Sequence, residues 1–182
     1  MQTPPAKITA SAHPVIAVRG MQPKDLRAVL AIQAICYTQI EPESHLCFEA
    51  KLYASPATCF TAELDGRAVG YLMALPWELA GPPALHLESC QLPLSPDCLY
   101  LHDLAVEPAA RAAGTGKALV DAFFAHLHST NLGRASLVAI QDSVAYWQRH
   151  GFNTVQSDAA LRTKLASYGD NVHYMVFDTI RK

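Results

Sequence analysis

The stretch of this chain with the clearest chemistry runs from Cys98 to Leu119, CLYLHDLAVEPAARAAGTGKAL. It reads as a strand ending at Val106, a turn at Glu107-Pro108, a short Ala/Gly loop and a helix that begins near Gly116. Glycines ahead of a helix expose unpaired backbone N–H groups at the positive end of the helix dipole, and both features favour an anion. Arg111 and Lys117 flank Gly114 and Gly116, so a bound phosphate would also meet positive side chains. Two familiar nucleotide loops fail on spacing. A Walker-type loop needs Gly where Arg111 stands and Ser or Thr where Ala118 stands. A dinucleotide fingerprint needs a third Gly where Leu119 stands. Arg111-x-x-Gly114-x-Gly116 remains as an anion cradle of another kind.

Other site chemistries find little to work with. His126 and His128 are two apart on a predicted helix and face different ways. His13, His45, His86, His150 and His173 form no metal-ligand spacing, so no metal is expected. There is no Gly-x-Ser-x-Gly elbow, and none of the five cysteines sits in a nucleophile setting. Their odd number and the absence of a Cys-x-x-Cys pair point to reduced thiols in a cytoplasm.

The elements that would position the loop follow from periodicity. Residues 15–19 read as a short strand. Pro23 suits the first turn of a helix carrying Leu26, Val29 and Leu30 at helical spacing. A poorer helix is predicted over 44–54. Residues 58–64 and 68–75 are β-rich runs joined by Asp65-Gly66, a strong hairpin signal. Residues 76–97 hold five of the twelve prolines and read as a long irregular excursion. After the strand at Cys98, a helix over 116–129 carries Leu119, Val120, Phe123, Phe124 and Leu127 on one side. A strand over 135–140 reached through that helix should lie parallel to it. A helix over 143–150 is stopped by Gly151, and strands over 152–156 and 172–177 are separated by a loop. Alternation along the central strand assigns Tyr100, His102, Leu104 and Val106 to one face and Leu101, Asp103 and Ala105 to the other. Asp103 is expected to pair with a basic neighbour.

The Arg111-x-x-Gly114-x-Gly116 loop resembles the pyrophosphate-binding signature of the GNAT N-acetyltransferases. The strand before it ends Leu104-Ala105-Val106, with Arg111 five residues beyond the Val, and the late helix closes in Gly151-Phe152, as in that family. Element order extends the resemblance over about residues 15–178, although only 98–152 carry specific motifs. The fold it implies is a central mixed, twisted α/β sheet of six to seven strands flanked by about four helices. The activity it implies is acetyl transfer from acetyl-CoA to a primary amine of a small molecule, by direct attack in a ternary complex. A GNAT-fold module that binds CoA without acyl transfer is the alternative.

In that reading Leu104, Ala105 and Val106 line the cofactor. Arg111, Ala112, Ala113, Gly114, Thr115, Gly116 and Lys117 hold its pyrophosphate, and Asp142 and Trp147 complete the binding set. An alkylammonium titrates near 10, so a base is useful. His102 is the candidate, since imidazole titrates near neutrality. Tyr100 to Val106 is similar to the strand of the arylalkylamine N-acetyltransferases, which carries two catalytic histidines; this chain has His102 at the second position and Tyr100 at the first. The acid usually stands four residues before the closing Gly-Phe, where this chain has Trp147. Tyr146 is the neighbouring phenol and the candidate acid, with water as the substitute. Tyr37, Phe48, Trp77, Tyr100 and Tyr168 are the candidate substrate walls, and their aromatic character suits an arylalkylamine better than a polyamine.

Composition bounds the rest. The 182 residues are 51% hydrophobic, which fits one domain with a sizeable core. Residues 1–13 lack periodicity and are expected to be a flexible tail, leaving 14–182 as a single GNAT domain. A net charge of −2 with 16% charged residues advertises no nucleic-acid or anionic-membrane face. A polar, Pro-bearing N-terminus and the lack of a ~20-residue apolar run argue for a cytoplasmic protein without a membrane segment. Monomer and homodimer both fit.

Overall fold

A computed structural model describes residues 15–179, so the predicted tail lies outside the described residues. The chain opens with strand β1 (Ile16–Gly20), a 3-10 turn at Pro23–Asp25 and helix α1 (Leu26–Cys36). Helix α2 (His45–Ala54) starts where the Ser44 hydroxyl accepts the Cys47 N–H at 3.3 Å. The hairpin β2 (Cys59–Leu64) and β3 (Arg67–Trp77) turns at Asp65 and Gly66, whose φ values of 52° and 78° match the double left-handed turn that an Asp-Gly pair tolerates. Next come β4 (Cys98–Val106), the single turn α3 (Pro108–Arg111) and α4 (Thr115–Ser129). The chain finishes with β5 (Arg134–Ala139), α5 (Val144–Arg149), β6 (Asn153–Thr154), α6 (Ala159–Leu165) and β7 (His173–Asp178).

Among the described residues these strands make one seven-stranded mixed sheet in the order β1-β2-β3-β4-β5-β7-β6. Every neighbouring pair is antiparallel except β4 and β5, which are parallel. Each face carries its own core. Leu72 and Ala74 of β3 pack with Leu119, Phe123 and Leu127 of α4 and with Trp147. Tyr71 and Met73, at the alternate positions, pack with Leu26, Val29 and Ile32 of α1 and with Phe48 and Leu52 of α2.

The central strand departs from simple alternation. Met73 pairs with Asp103 and Ala74 with Leu101, which leaves His102 as the extra residue of a β-bulge. The bulge shifts the side-chain phase by one. Leu99, Leu101 and Val106 all belong to the α4-side core with Leu104 packed against it, whereas Ala105 joins the α1-side core. The alternation expected from the sequence therefore fails beyond Leu101, and Asp103 points away from Leu101.

Two further expectations are corrected. Residues 159–165 form α6, capped by the Asp158 carboxylate accepting the Leu161 N–H at 2.8 Å, where a loop was predicted. With α3 also present, the α-helices number six among the described residues. The predicted strand over 152–156 shrinks to the two residues of β6. The Pro-rich excursion is irregular over 78–97 and is tied down at its backbone. Ala80 N–H donates to the Tyr174 hydroxyl at 2.9 Å, His86 N–H donates to Glu43 at 2.8 Å, and the Pro83 carbonyl accepts from the Tyr168 hydroxyl. Ala80 and His86 both take positive φ, 57° and 63°, so the two N–H groups are aimed by backbone that side-chain-bearing residues seldom adopt.

Candidate active site

The parallel strands β4 and β5 pair only from Leu99 to Leu101 and Ala135 to Leu137. Beyond that they separate, and β4 runs on to Val106 with no β5 partner. The opening is a cleft of about 710 Å³. Leu101 to Val106 form one wall, Leu137, Val138 and Ile140 the other, and the first turn of α4 closes one end through Gly114, Gly116 and Lys117. Cys36, Tyr37, Thr38 and Gln39 border it from the end of α1.

The loop ahead of α4 is built on its two glycines. Gly114 takes φ +85°, a left-handed value that only glycine adopts without strain. A Cβ on Gly116 would lie 3.2 Å from the Tyr146 hydroxyl, so the absence of a side chain there keeps the helix terminus open. Thr115 is turned inward: it is fully buried and its hydroxyl donates to the Ala110 carbonyl at 2.9 Å, so only its N–H remains for a ligand. The cationic side chains have partners of their own. Arg111 Nε donates to the Val106 carbonyl at 3.0 Å, and Lys117 Nζ meets Asp121 at 2.6 Å one helical turn on. Both residues border the cleft, whereas Ala112 and Ala113 belong to the turn behind it. These residues fit a pyrophosphate.

At the other end the bulge presents His102. Its imidazole is 1% exposed, and Nε2 lies 2.7 Å from Glu43 Oε2. Glu43 also receives Lys51 Nζ at 3.0 and 3.1 Å. Burial alone would raise the Glu43 carboxyl, but the hydrogen bonds and charges of His102 and Lys51 outweigh it and hold the group at about 2. His102 Nδ1 is buried with no hydrogen-bond partner among the described residues. Among the described residues Asp103 has no basic hydrogen-bond partner, contrary to expectation. It accepts from the hydroxyls of Tyr37 and of Tyr71, the latter at 2.7 Å. Burial raises the Asp103 carboxyl despite these two donors, and burial together with Asp103 raises both phenols.

The remaining candidates divide. Tyr146 and Trp147 both border the cleft. Trp147 is 7% exposed and packs edge-on to Phe152 at 5.7 Å, which makes it a core residue as well as a wall. The Tyr146 hydroxyl is buried without a hydrogen-bond partner among the described residues, and burial raises its phenol. Asp142 does not border the cleft, although Gln141 and Ser143 beside it do; Gln141 and Asp142 both take positive φ, 49° and 59°. Of the proposed substrate walls, Tyr37 borders the cleft. Phe48 is fully buried against Tyr71. Tyr100 and Tyr168 are interior and bonded to each other at 3.0 Å. Trp77 lines a separate cavity of about 210 Å³ beneath the 78–97 excursion. Phe48, Tyr100 and Tyr168 thus serve the interior, because the bulge and the excursion carry the cleft away from them. Glu43 and the Tyr37–Asp103–Tyr71 cluster were not singled out from the sequence; Glu43 lies 59 residues from its histidine, and no spacing links them.

Among the described residues no group of three or more His, Cys, Asp or Glu could hold a metal ion, and no helix is long and apolar enough to cross a membrane. A mixed sheet parted between two parallel strands, with a glycine-led helix at the mouth of the gap, defines a class of α/β fold with a cleft that opens through the sheet. The chain belongs to the acetyltransferase (GNAT) family, whose model matches residues 26–152. Comparison with curated proteins returns no match. Solved structures share the fold at low identity. Ard1 from Thermoplasma volcanium is 17% identical with a TM-score of 0.67, over 90% of this chain and 97% of that one. The ribosomal-protein-S18-alanine N-acetyltransferase from Escherichia coli is 16% identical with a TM-score of 0.63, over 91% and 94%. GphF, a GNAT-like decarboxylase in complex with isobutyryl-CoA, is 19% identical with a TM-score of 0.73, over 90% and 99%.

Proposed function

We propose that this protein is an acetyl-CoA-dependent N-acetyltransferase that acts on the primary amine of a small molecule, with arylalkylamines as the candidate class. The observation that carries the reading is the single cleft with a glycine-built anion cradle at one end and a histidine on a strand bulge toward the other. Acetyl-CoA, when bound, supplies the activated acetyl group. The first turn of α4 holds its pyrophosphate through backbone N–H groups, with Gly114 and Gly116 giving the close approach. The unpaired edge of β4 from His102 to Val106 offers backbone groups along the cleft. His102 takes the proton from the acceptor ammonium. Tyr37, held by Asp103, borders the acceptor end and supplies an aromatic surface.

Trp147 at the family's usual acid position supports a second reading, a CoA-binding module without acyl transfer. Steady-state thiol release with acetyl-CoA and an amine panel including phenethylamine separates the two. Turnover that falls in His102→Ala, most strongly near neutral pH and less so as free amine becomes plentiful, is the expected result. Acetyl-CoA binding without turnover on any amine favours the module. A pH profile for His102→Ala parallel to wild type removes the base assignment.

A further inference from the structure

Glu43 is held from two sides. Gln33, itself buried, clamps its backbone: the Glu43 N–H donates to Gln33 Oε1 at 2.6 Å and the Glu43 carbonyl accepts from Gln33 Nε2 at 3.2 Å. The carboxylate is then shared among three elements, by Lys51 of α2, the backbone N–H of His86 in the 78–97 excursion, and His102 of β4. The side chains of Lys51, Glu43 and His102 are 3%, 7% and 1% exposed. An ion pair between Lys51 and Glu43 would be complete without an imidazole, and buried pairs add little net stability. The histidine therefore calls for an explanation beyond charge balance.

An ionised carboxylate only accepts, so Nε2 is the nitrogen that donates across the 2.7 Å contact, and a neutral imidazole then carries its lone pair on Nδ1. Nδ1 is the atom that the protein leaves without a partner. The ring meets Glu43 from the α1–α2 loop and the Tyr100 ring of β4 at 6.1 Å, Asp103 is its charged neighbour on the same strand, and Lys51 of α2 and the His86 N–H of the excursion reach it only through Glu43.

We infer that Glu43 is a positioning residue that fixes His102 with its proton on Nε2 and its lone pair on Nδ1, making Nδ1 the atom that accepts the proton of the acceptor ammonium. The proton leaves the ammonium nitrogen, whose electron pair becomes free, and forms the Nδ1–H bond. The resulting imidazolium keeps its Nε2–H on Glu43 and returns the Nδ1 proton to solvent afterwards. The role in turnover rests on the N-acetyltransferase reading, whereas the tautomer does not.

The test pairs spectroscopy with kinetics. Two-bond 1H–15N spectra of the 15N-labelled full chain should show His102 protonated at Nε2, with that proton far downfield in its bond to the carboxylate. E43Q leaves Lys51 buried without its counter-charge, so E43Q/K51M accompanies it and removes both charges while keeping shape. In E43Q/K51M the downfield resonance should disappear, and kcat/KM with phenethylamine should fall by about 10²-fold with KM for acetyl-CoA within about twofold. Built on H102A, the same two substitutions should cost nothing further, because Glu43 acts through the histidine. A wild-type His102 protonated on Nδ1 overturns the inference. An equal fold-loss with and without His102 also overturns it, since that marks a purely structural pair. Absence of turnover in wild type on every amine would remove the transferase reading, and the nitrogen spectra would still decide the tautomer.

Discussion

Tyr146→Phe should stabilise the protein in the absence of ligand. The hydroxyl is buried and has no hydrogen-bond partner among the described residues. Its ring makes edge-on contacts with Trp147 at 5.0 Å and His150 at 4.8 Å, and Arg149 lies 5.9 Å from its centroid. An unsatisfied buried polar group costs about 1–3 kcal/mol, and removing the oxygen recovers part of that, on the order of 1 kcal/mol. Gly116 sharpens the test. Alanine in a helix is favoured over glycine by roughly 1 kcal/mol, but the new Cβ would stand 3.2 Å from the Tyr146 oxygen, so Gly116→Ala alone should be close to neutral. With the oxygen gone, the remaining contact is Val106 Cγ2 at 3.9 Å, an ordinary distance, and the gain should appear in full. Urea melts of wild type, both single variants and the double variant then give a coupling of about 1 kcal/mol. A Tyr146→Phe variant less stable than wild type by 1 kcal/mol or more refutes the unpartnered hydroxyl. Additivity within about 0.3 kcal/mol refutes the contact with Gly116. If Tyr146 is the acid, the stabilised variant should also lose kcat.

Gly114→Ala meets no atom within 4 Å but must hold φ +85°, so it should cost about 1–2 kcal/mol in a urea melt and weaken acetyl-CoA binding measured by calorimetry. Trp147→Tyr removes volume from the α4-side core and should cost about 1–3 kcal/mol; a melt and turnover taken together show whether a phenol there compensates. Glu43 sits at about 2 in the folded chain against an ordinary 4.5, so its contribution is complete above pH 4.5 and is lost as pH falls from there toward 2. At roughly 1.4 kcal/mol per pH unit this amounts to about 3 kcal/mol. The stability difference between wild type and E43Q should shrink across that window, and a pH-independent difference counts against it.

Much of the frame was legible because it is local. The Asp65-Gly66 turn, Pro23 ahead of α1 and the apolar face of α4 each advertise themselves within a few residues. α6 was legible in principle, since Asp158 caps it and Leu161 and Leu165 lie four apart, but its short polar helix resembles a loop until β7 offers those leucines a surface. The bulge at His102 and the reach of Glu43 to it were not legible. Both are products of pairing between distant segments, and neither leaves a period in the chain. The interior placement of Phe48, Tyr100 and Tyr168 was hidden for the same reason: an aromatic has the same composition whether it faces a cleft or a core.

The extra residue in β4 also bears on how this protein could change over time. Without His102 the strand could pair with β3 along its whole length, and Leu99, Leu101, Leu104 and Val106 would still share a face, because removing the bulged residue turns the odd spacing at 101–104 into the even spacing of a regular strand. The core on the α4 side therefore does not need the insertion; what the extra residue supplies is the imidazole that meets Glu43. Drift can retune that imidazole by substitution at 102 or remove the residue with the leucines still facing α4, so nothing in the packing of the strand guards the position.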